Sequence, residues 1–273
     1  MSEKRIPFVG LHAHSVAGSI FDAIGYPPQH MDFAYENGSE ALALTDHGNM
    51  NGLAHQVLHA KKMRADGKNF KPIFGVEAYF TPSVNDWKAE YDRVKAEQKL
   101  KKKAASGATV EDEEASKKAV KNILNRRRHL ILLAQNQTGL NNLFKMVSES
   151  YQGDNYACLG GVYAGCYWEN REQGEEAVLE AMRDTTRRMI DIFGDRWYGE
   201  LQWNNIPEQH ELNRYIIKIH EEFGIGLIST ADSHYPGPDA WKDRELYKRL
   251  GWLGKRPEYL SEELPEPEDL KCE

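Results

Sequence analysis

The chain has 273 residues, of which 40% are hydrophobic and 28% are charged, as is typical of a soluble globular enzyme. Its formal net charge of -7 excludes a protein that coats nucleic acid through overall positive charge. There are only three cysteines, and the sequence shows no secretory signal and no apolar stretch of about 20 residues. We therefore expect a reduced, cytoplasmic protein without a membrane segment, whose cysteines pack or bind metal and form no disulfide framework.

Short apolar segments alternate along the chain with segments of helical periodicity. The strand-like segments are 7–14, 41–48, 72–80, 129–136, 197–203 and 224–235. The helical segments have apolar residues three or four positions apart and mostly end at a glycine, and they cover 27–38, 50–67, 138–153, 174–194 and 207–224. This alternation predicts an α/β fold with a parallel sheet covered by helices, either an open doubly wound sheet or a closed barrel.

A highly charged stretch at about 85–128 interrupts this alternation. Between Trp87 and Arg128 there are 13 Lys and Arg against 7 Asp and Glu, a surplus of 6 positive charges. The pattern predicts an exposed insertion of two solvated helical arms, and the alternative is a surface that contacts DNA phosphates. The segment 256–273 is acidic and proline-rich, which indicates a tail or linker. Such a segment is expected if the chain is part of a longer protein.

Polar side chains occur repeatedly at the ends of the strand-like segments. These residues are His12, His14, Asp46, His47, Glu77, Asp232 and His234, with His129 at the start of the fourth segment. The loops after parallel strands meet on one face of an α/β fold, where sites are built. In an extended strand both histidines of a His-x-His pair point to the same side. Imidazoles and carboxylates together suit Zn, Mn or Fe, so the pattern predicts a site for one or more metal ions.

Other polar residues are expected to have structural roles. Asp46 points away from His47 if this segment is extended, and we expect it to position a neighbour or cap a turn. The remaining histidines lie within helical patterns, where a hydrogen-bonded structural histidine is the more common case: His30, His55, His59, His210 and His220.

Several motifs, in this order, resemble the polymerase and histidinol phosphatase (PHP) family: "LHAHS", "ALTDHGNMNG", "GVEAYF", "HLILLAQN", "ELQ" and "ADSHY". The resemblance runs from about Phe8 to Gly254 and is greatest to the PHP domain at the amino terminus of bacterial DNA polymerase III alpha subunits. It implies a distorted seven-stranded (β/α) barrel of the TIM type over residues 1–255, with up to three divalent ions. The implied metal ligands are His12, His14, Asp22, His47, Glu77, His129, Cys158, Asp232 and His234.

The resemblance also implies a function. His12, His14, Asp22, Glu77 and Asp232 would be the catalytic residues of a metal-dependent phosphoesterase. The polymerase branch implies a 3'-5' exonuclease that proofreads DNA 3' ends, with other domains or subunits of a replicative polymerase as partners. Two alternatives stay open: a small-molecule phosphatase of the histidinol phosphatase type, and a non-catalytic module that metals only stabilise. For Cys158 the alternative to metal binding is simple packing in the core. Glu200 matches a family strand and is expected to support the site without binding metal.

Overall fold

A computed structural model describes residues 8–81, 83–104, 128–151 and 162–251. The chain forms two compact units. The first unit comprises Met1–Ala78, Ile131–Ser148 and Met189–Glu273, and the second comprises Tyr79–Leu130 and Glu149–Arg188. Cys158, the second predicted arm of the insertion and the acidic tail lie outside the described residues.

Helices and strands alternate along most of the described chain. In order they are α1 (Pro27–Glu36), β1 (Ala41–Leu44), α2 (Leu53–Ala65), β2 (Lys71–Phe80), α3 (Val84–Ala104), β3 (Arg128–Leu133), α4 (Gln137–Ser150), α5 (Val162–Asn170), α6 (Glu175–Phe193), β4 (Tyr198–Gln202), α7 (Pro207–Phe223), β5 (Gly226–Thr230) and α8 (Trp241–Gly251). Short 3-10 turns follow α5 and α6 and precede α8. In the part of the chain that the structure describes, no helix is both long and apolar enough to cross a membrane.

Helix α7 shows how the sequence sets the ends of these elements. Pro207 occupies the first turn, where its missing N–H costs nothing because that group has no partner inside the helix. The helix ends before Gly224, which adopts a left-handed conformation with φ 68° and donates its N–H to the carbonyl of His220 at 2.8 Å. This glycine cap is the C-terminal signal expected from the sequence.

The strands form a three-stranded sheet in the order β1-β2-β3 and a two-stranded sheet of β4 and β5. Strands β1 and β2 are parallel, with Ala41 opposite Lys71, and β4 and β5 are parallel, with Tyr198 opposite Gly226. The segment before α1 adds parallel bridges from Gly10 to Leu42 and from Ala13 to Ser233. The mixed α/β class is thus confirmed. Five strands are present among the described residues, so a seven-stranded barrel is not shown.

The hydrophobic core of the first unit includes Ala13 of this amino-terminal segment. Its buried side chains are Ala13, Met31, Leu42, Leu44, Ala60, Met63 and Phe70. Because side chains alternate along an extended segment, the inward position of Ala13 directs its two neighbours to the opposite side. The hydrophobic core therefore fixes the orientation of His12 and His14.

In the second unit, α3 confirms a helix in the first predicted arm of the charged insertion. The buried Arg128 donates from Nη2 to Glu169 Oε2 at 2.5 Å and approaches Cys166 Sγ at 3.5 Å. A Cβ at Gly165 would lie 2.1 Å from Arg128 Nε, so glycine is needed for this close packing. Burial raises the pKa of the Cys166 thiol, as expected for a cysteine that packs in a protein interior.

Candidate metal centre

His12 and His14 are presented by a backbone that is hydrogen-bonded on both sides. Thr45 donates its N–H to the carbonyl of Ala13 at 2.8 Å, and His14 donates its N–H to the carbonyl of Ser233 at 2.8 Å. The segment therefore lies between the end of β1 and the loop after β5. His12 is 5% exposed and His14 is 0% exposed, so both imidazoles lie in a buried site.

Four side chains bring their donor atoms together in what we call the four-residue cluster: His12, His14, Glu77 and Asp232. The Nε2 atoms of the two histidines are 3.1 Å apart. Glu77 Oε2 is 3.1 Å from His12 Nε2 and 2.9 Å from His14 Nε2. Asp232 Oδ1 is 3.0 Å from His12 Nε2 and 3.1 Å from His14 Nε2. Two imidazole nitrogens and two carboxylate oxygens thus converge on one point.

The other nitrogen of each imidazole faces a hydrogen-bond acceptor. His12 Nδ1 lies 2.7 Å from Glu200 Oε1. His14 Nδ1 lies 3.2 Å from Ser19 Oγ, whose hydroxyl proton is donated to Asp46 Oδ1 at 2.9 Å. A neutral imidazole has a single N–H, so these partners place that proton on Nδ1. When both rings are neutral, their Nε2 lone pairs point into the cluster, toward two carboxylates that also offer only lone pairs.

A second group of side chains adjoins the first through His14. The rings of His47 and His234 stack against His14, with centroids 4.1 Å and 4.4 Å away. Asp22 Oδ2 lies 3.0 Å from His47 Nε2 and 3.3 Å from His234 Nε2. We call Asp22, His47 and His234 the Asp22 group.

Glu77 connects the two groups. Its Oε2 atom, which is already within 3.1 Å of both cluster histidines, is also 3.3 Å from His47 Nδ1. The backbone supports this contact, because His47 and Glu77 form a parallel bridge and Gly48 donates its N–H to the carbonyl of Glu77 at 2.9 Å. Glu77 is 1% exposed, so its carboxylate is fixed between the four-residue cluster and the Asp22 group.

The site favours positive charge at its centre. Burial by itself would lower the pKa of His12, but hydrogen bonds with Asp232 and Glu200 outweigh it and raise that pKa to about 10. Burial would raise the pKa of Asp232, yet its contacts with His12 and His14 hold it well below the ordinary carboxyl value.

The Asp22 group also holds an ionised carboxylate next to imidazoles. Burial would also raise the pKa of Asp22, but His234, His47 and the nearby charge of Arg244 lower it. Burial lowers the pKa of both His14 and His234, so these two rings are neutral at neutral pH and available as ligands. Neutral imidazoles beside ionised carboxylates are the protonation states that divalent metal ions require.

Asp46 organises the loop that precedes Asp22. Its Oδ1 accepts hydrogen bonds from the backbone N–H of Ser15 at 2.6 Å and from Ser19 Oγ at 2.9 Å, and its Oδ2 accepts from Ser15 Oγ at 2.8 Å. A Cβ at Gly18 would lie 2.5 Å from Asp46 Cβ, so only glycine fits at this point of the loop. These contacts agree with the positioning role that the sequence suggested for Asp46.

The structure brings seven of the nine predicted ligands together in these two groups. His129 lies in the second unit at the start of β3, with its ring centroid 5.2 Å from that of Tyr79. Cys158 lies outside the described residues. Both assignments stay predictions.

Three residues of the site were not identified from the sequence. They are Ser19, Thr230 and Arg244, which contact His14, Glu200 and Asp22 respectively. No motif marks them, because each acts through hydrogen-bonded partners that only the fold brings near.

The five helical histidines make other contacts. Nε2 of His30 lies 3.0 Å from the carbonyl of Ile24, and Nε2 of His59 lies 2.8 Å from Asp32 Oδ1. His210 lies beside the side chain of Asn205, and His220 beside the carbonyl of Ile225. The ring of His55 is near that of Tyr26, at 5.5 Å. These contacts fit the structural roles expected for them.

Parallel strands that end at buried imidazoles and ionised carboxylates make this an α/β protein with a candidate metal centre. Residues 10–228 match the model of the PHP domain, and the chain therefore belongs to the PHP domain family. It is 32% identical over 253 residues to the DNA polymerase III subunit alpha of Aquifex aeolicus and 29% identical over 274 residues to that of Borreliella burgdorferi. These matches cover 85% and 92% of this chain but only 18% and 20% of the relatives.

A solved structure of an amidohydrolase from Chromobacterium violaceum is also similar, with 16% identity and a TM-score of 0.35. The match covers 88% of this chain and 96% of that one. At that TM-score the likeness does not define the fold.

Proposed function

We propose that this chain is a metal-dependent phosphoesterase whose divalent ions are held by the four-residue cluster and the Asp22 group. The observation that carries the proposal is the convergence of four donor atoms, in which each imidazole Nε2 lies within 3.1 Å of one oxygen of Glu77 and one of Asp232. Glu200 and Ser19 hold the imidazole protons on the far side. Such a set of buried lone pairs would repel itself unless a cation, either a proton or a metal ion, lay among them, so the residues fit a metal ion.

Divalent ions bound at such a site would polarise a phosphoester and lower the pKa of water. The protein's own residues supply the geometry. Glu77 lies within reach of donor atoms in both groups, so it can connect neighbouring ions. Asp232 lies at the less buried side of the cluster, with its side chain 32% exposed, which leaves room for a substrate to approach. Zn, Mn and Fe all suit this donor set.

The barrel and the full ligand set belong to the same proposal. The amino-terminal segment bridges in parallel both to β1 and to Ser233, as expected if the strands continue around a seven-stranded barrel. His129 and Cys158 would complete the nine ligands, and up to three ions would then bind.

We further propose that the substrate is the 3' end of DNA and the activity a 3'-5' exonuclease. The support is the similarity to proteins named DNA polymerase III subunit alpha. Association with other parts of a replicative polymerase follows from the same similarity. The net positive charge between Trp87 and Arg128 would help to hold a DNA strand and would make binding salt-dependent.

The test is hydrolysis of single-stranded DNA labelled at either end, with Mn²⁺, Zn²⁺ or Fe²⁺ added to metal-stripped protein. Shortening from the 3' end only, lost in Asp22→Asn and Asp232→Asn, is the expected result. Asp32→Asn is the matched control, since it removes the same charge from a residue that pairs with His59 at 2.8 Å, away from the cluster. Histidinol phosphate is assayed in parallel.

Each alternative gives a different result. Hydrolysis of histidinol phosphate without hydrolysis of DNA would support the small-molecule phosphatase and contradict the exonuclease. Metal binding without hydrolysis of either substrate would support a module that metals only stabilise. Equal activity in the parent, Asp22→Asn and Asp232→Asn would contradict the proposed site.

A further inference from the structure

Arg244, on α8, makes a two-point contact with Asp22. Its Nε donates to the backbone carbonyl of Asp22 at 2.7 Å, and its Nη2 donates to Oδ1 at 2.8 Å. The other carboxylate oxygen, Oδ2, is the atom that faces His47 and His234. One oxygen of Asp22 is thus occupied by Arg244, and the other is directed toward two imidazoles.

The same helix also holds the residue before Asp22. Phe21 has φ 62°, a left-handed conformation that is uncommon for a residue with a side chain and persists only where surrounding contacts hold it. Its ring lies 5.3 Å from that of Tyr247, and a Cβ at Gly251 would lie 2.8 Å from Phe21 Cβ. Contacts from α8 therefore hold two consecutive residues of this loop.

Arg244 is itself held in place. Its Nη1 donates to Glu245 Oε1 at 3.1 Å, and Lys248 Nζ donates to the same oxygen at 3.1 Å. Glu245 is 7% exposed, and the Arg244 side chain is 18% exposed. The guanidinium thus has a fixed orientation before any ligand arrives.

We propose that Arg244 is a positioning residue for metal binding by the Asp22 group. By holding the carbonyl and Oδ1 of Asp22 it keeps Oδ2 facing His47 and His234, so that these three side chains form one ion site. Lysine cannot replace it, because a single ammonium lacks the planar fork that reaches two separate oxygens. The inference rests on the metal-binding part of the proposed function and is independent of the substrate.

The test measures binding of Mn²⁺ to the metal-stripped protein by calorimetry, with the number of ions and the affinity of each. In Arg244→Gln and Arg244→Lys one ion should bind about 10- to 100-fold more weakly, as is usual when the partner of a ligand is lost. Lys242→Gln, which removes the same charge from the same helix at an exposed position, should bind like the parent. In the Asp22→Asn background, Arg244→Gln should cause no further loss.

Thermal unfolding of every variant separates loss of the ion site from loss of the fold. Should Arg244→Gln not fold, Arg244→Lys, which keeps the charge on α8, gives the decisive measurement. The proposal is overturned if Arg244→Lys binds every ion as the parent does, if Lys242→Gln loses as much affinity, or if the parent binds no Mn²⁺. The DNA assay can fail while this result stands, so the two proposals are tested separately.

Discussion

Replacing Glu200 with Gln tests whether a metal ion competes with a proton at His12. The substitution keeps the size of the side chain, but the carboxylate 2.7 Å from His12 Nδ1 becomes a neutral amide. Glu200 is one of the groups that raise the pKa of His12 from 6.5 to about 10. In the variant this pKa should fall back toward the ordinary value.

The size of the effect follows from that pKa. An ion held by Nε2 of His12 must displace a proton, so the parent should release about one proton near pH 7 when the ion of the four-residue cluster binds. Its affinity should rise about tenfold per pH unit up to a pH of about 10, the pKa of His12. In Glu200→Gln the increase should stop at a lower pH. Loss of the orienting hydrogen bond weakens the intrinsic affinity about 10- to 100-fold, while the lower pKa of His12 reduces competition from the proton. The net change in affinity therefore depends on pH, and the slope of affinity against pH is the diagnostic quantity.

The assay is calorimetric titration with Mn²⁺ between about pH 6.5 and 9, in pairs of buffers with different ionisation enthalpies, which gives the protons released per ion. Glu221→Gln is the control, because it removes a carboxylate from an exposed position on α7. If the parent released no proton, or if Glu200→Gln and Glu221→Gln had the same slope, the competition between proton and metal would be refuted.

Three further predictions concern stability. Burial lowers the pKa of His30 from 6.5 to about 4, so between these pH values the unfolded chain binds more protons than the folded one. The free energy of unfolding should therefore fall by about 2 kcal/mol from pH 7 to pH 5. Urea titrations should show a smaller fall in His30→Gln. Gly18→Ala should cost about 1–3 kcal/mol, since its Cβ would lie 2.5 Å from Asp46 Cβ. Gly139→Ala is its control, because the nearest atom would be 3.6 Å away and the site is helical, so no loss is expected. Met31→Ala, at a fully buried core position, should cost about 2–5 kcal/mol by thermal or urea unfolding.

Much of the fold could be predicted from periodicity. The five segments of helical pattern are all helices in the structure, as apolar residues three or four positions apart predict. Helices α5 and α8 were not predicted. The sequence of α5, VYAGCYWEN, is apolar on most sides and carries a glycine, so it lacks an amphipathic pattern. Helix α8 is short and mostly polar, with few apolar positions to show a period.

Some residues of the candidate site could likewise be predicted from the sequence, and others could not. Residues at strand ends could be found because the period of two and the parallel arrangement determine where their side chains meet. The residues that orient them could not be found from the sequence. Ser19 and Arg244 are ordinary surface residue types in the sequence, and only long-range contacts, such as the 222 positions that separate Arg244 from Asp22, make them part of the site.

The match to the PHP domain ends at residue 228, before Asp232, His234 and the whole of α8. Asp232 and His234 therefore rest on the strand-end pattern and on geometry, and Arg244 rests on geometry alone. Asp232 has φ 49°, a conformation that costs free energy unless the surroundings hold it. Its loop is held by the hydrogen bond from His14 to Ser233 and by the bond from Ile24 to the carbonyl of His234. The amino-terminal segment thus supports the loop that carries Asp232 and His234, and Arg244 contacts Asp22 in return. Each half of the candidate site is held by the other, which is why side chains more than 200 residues apart can meet there.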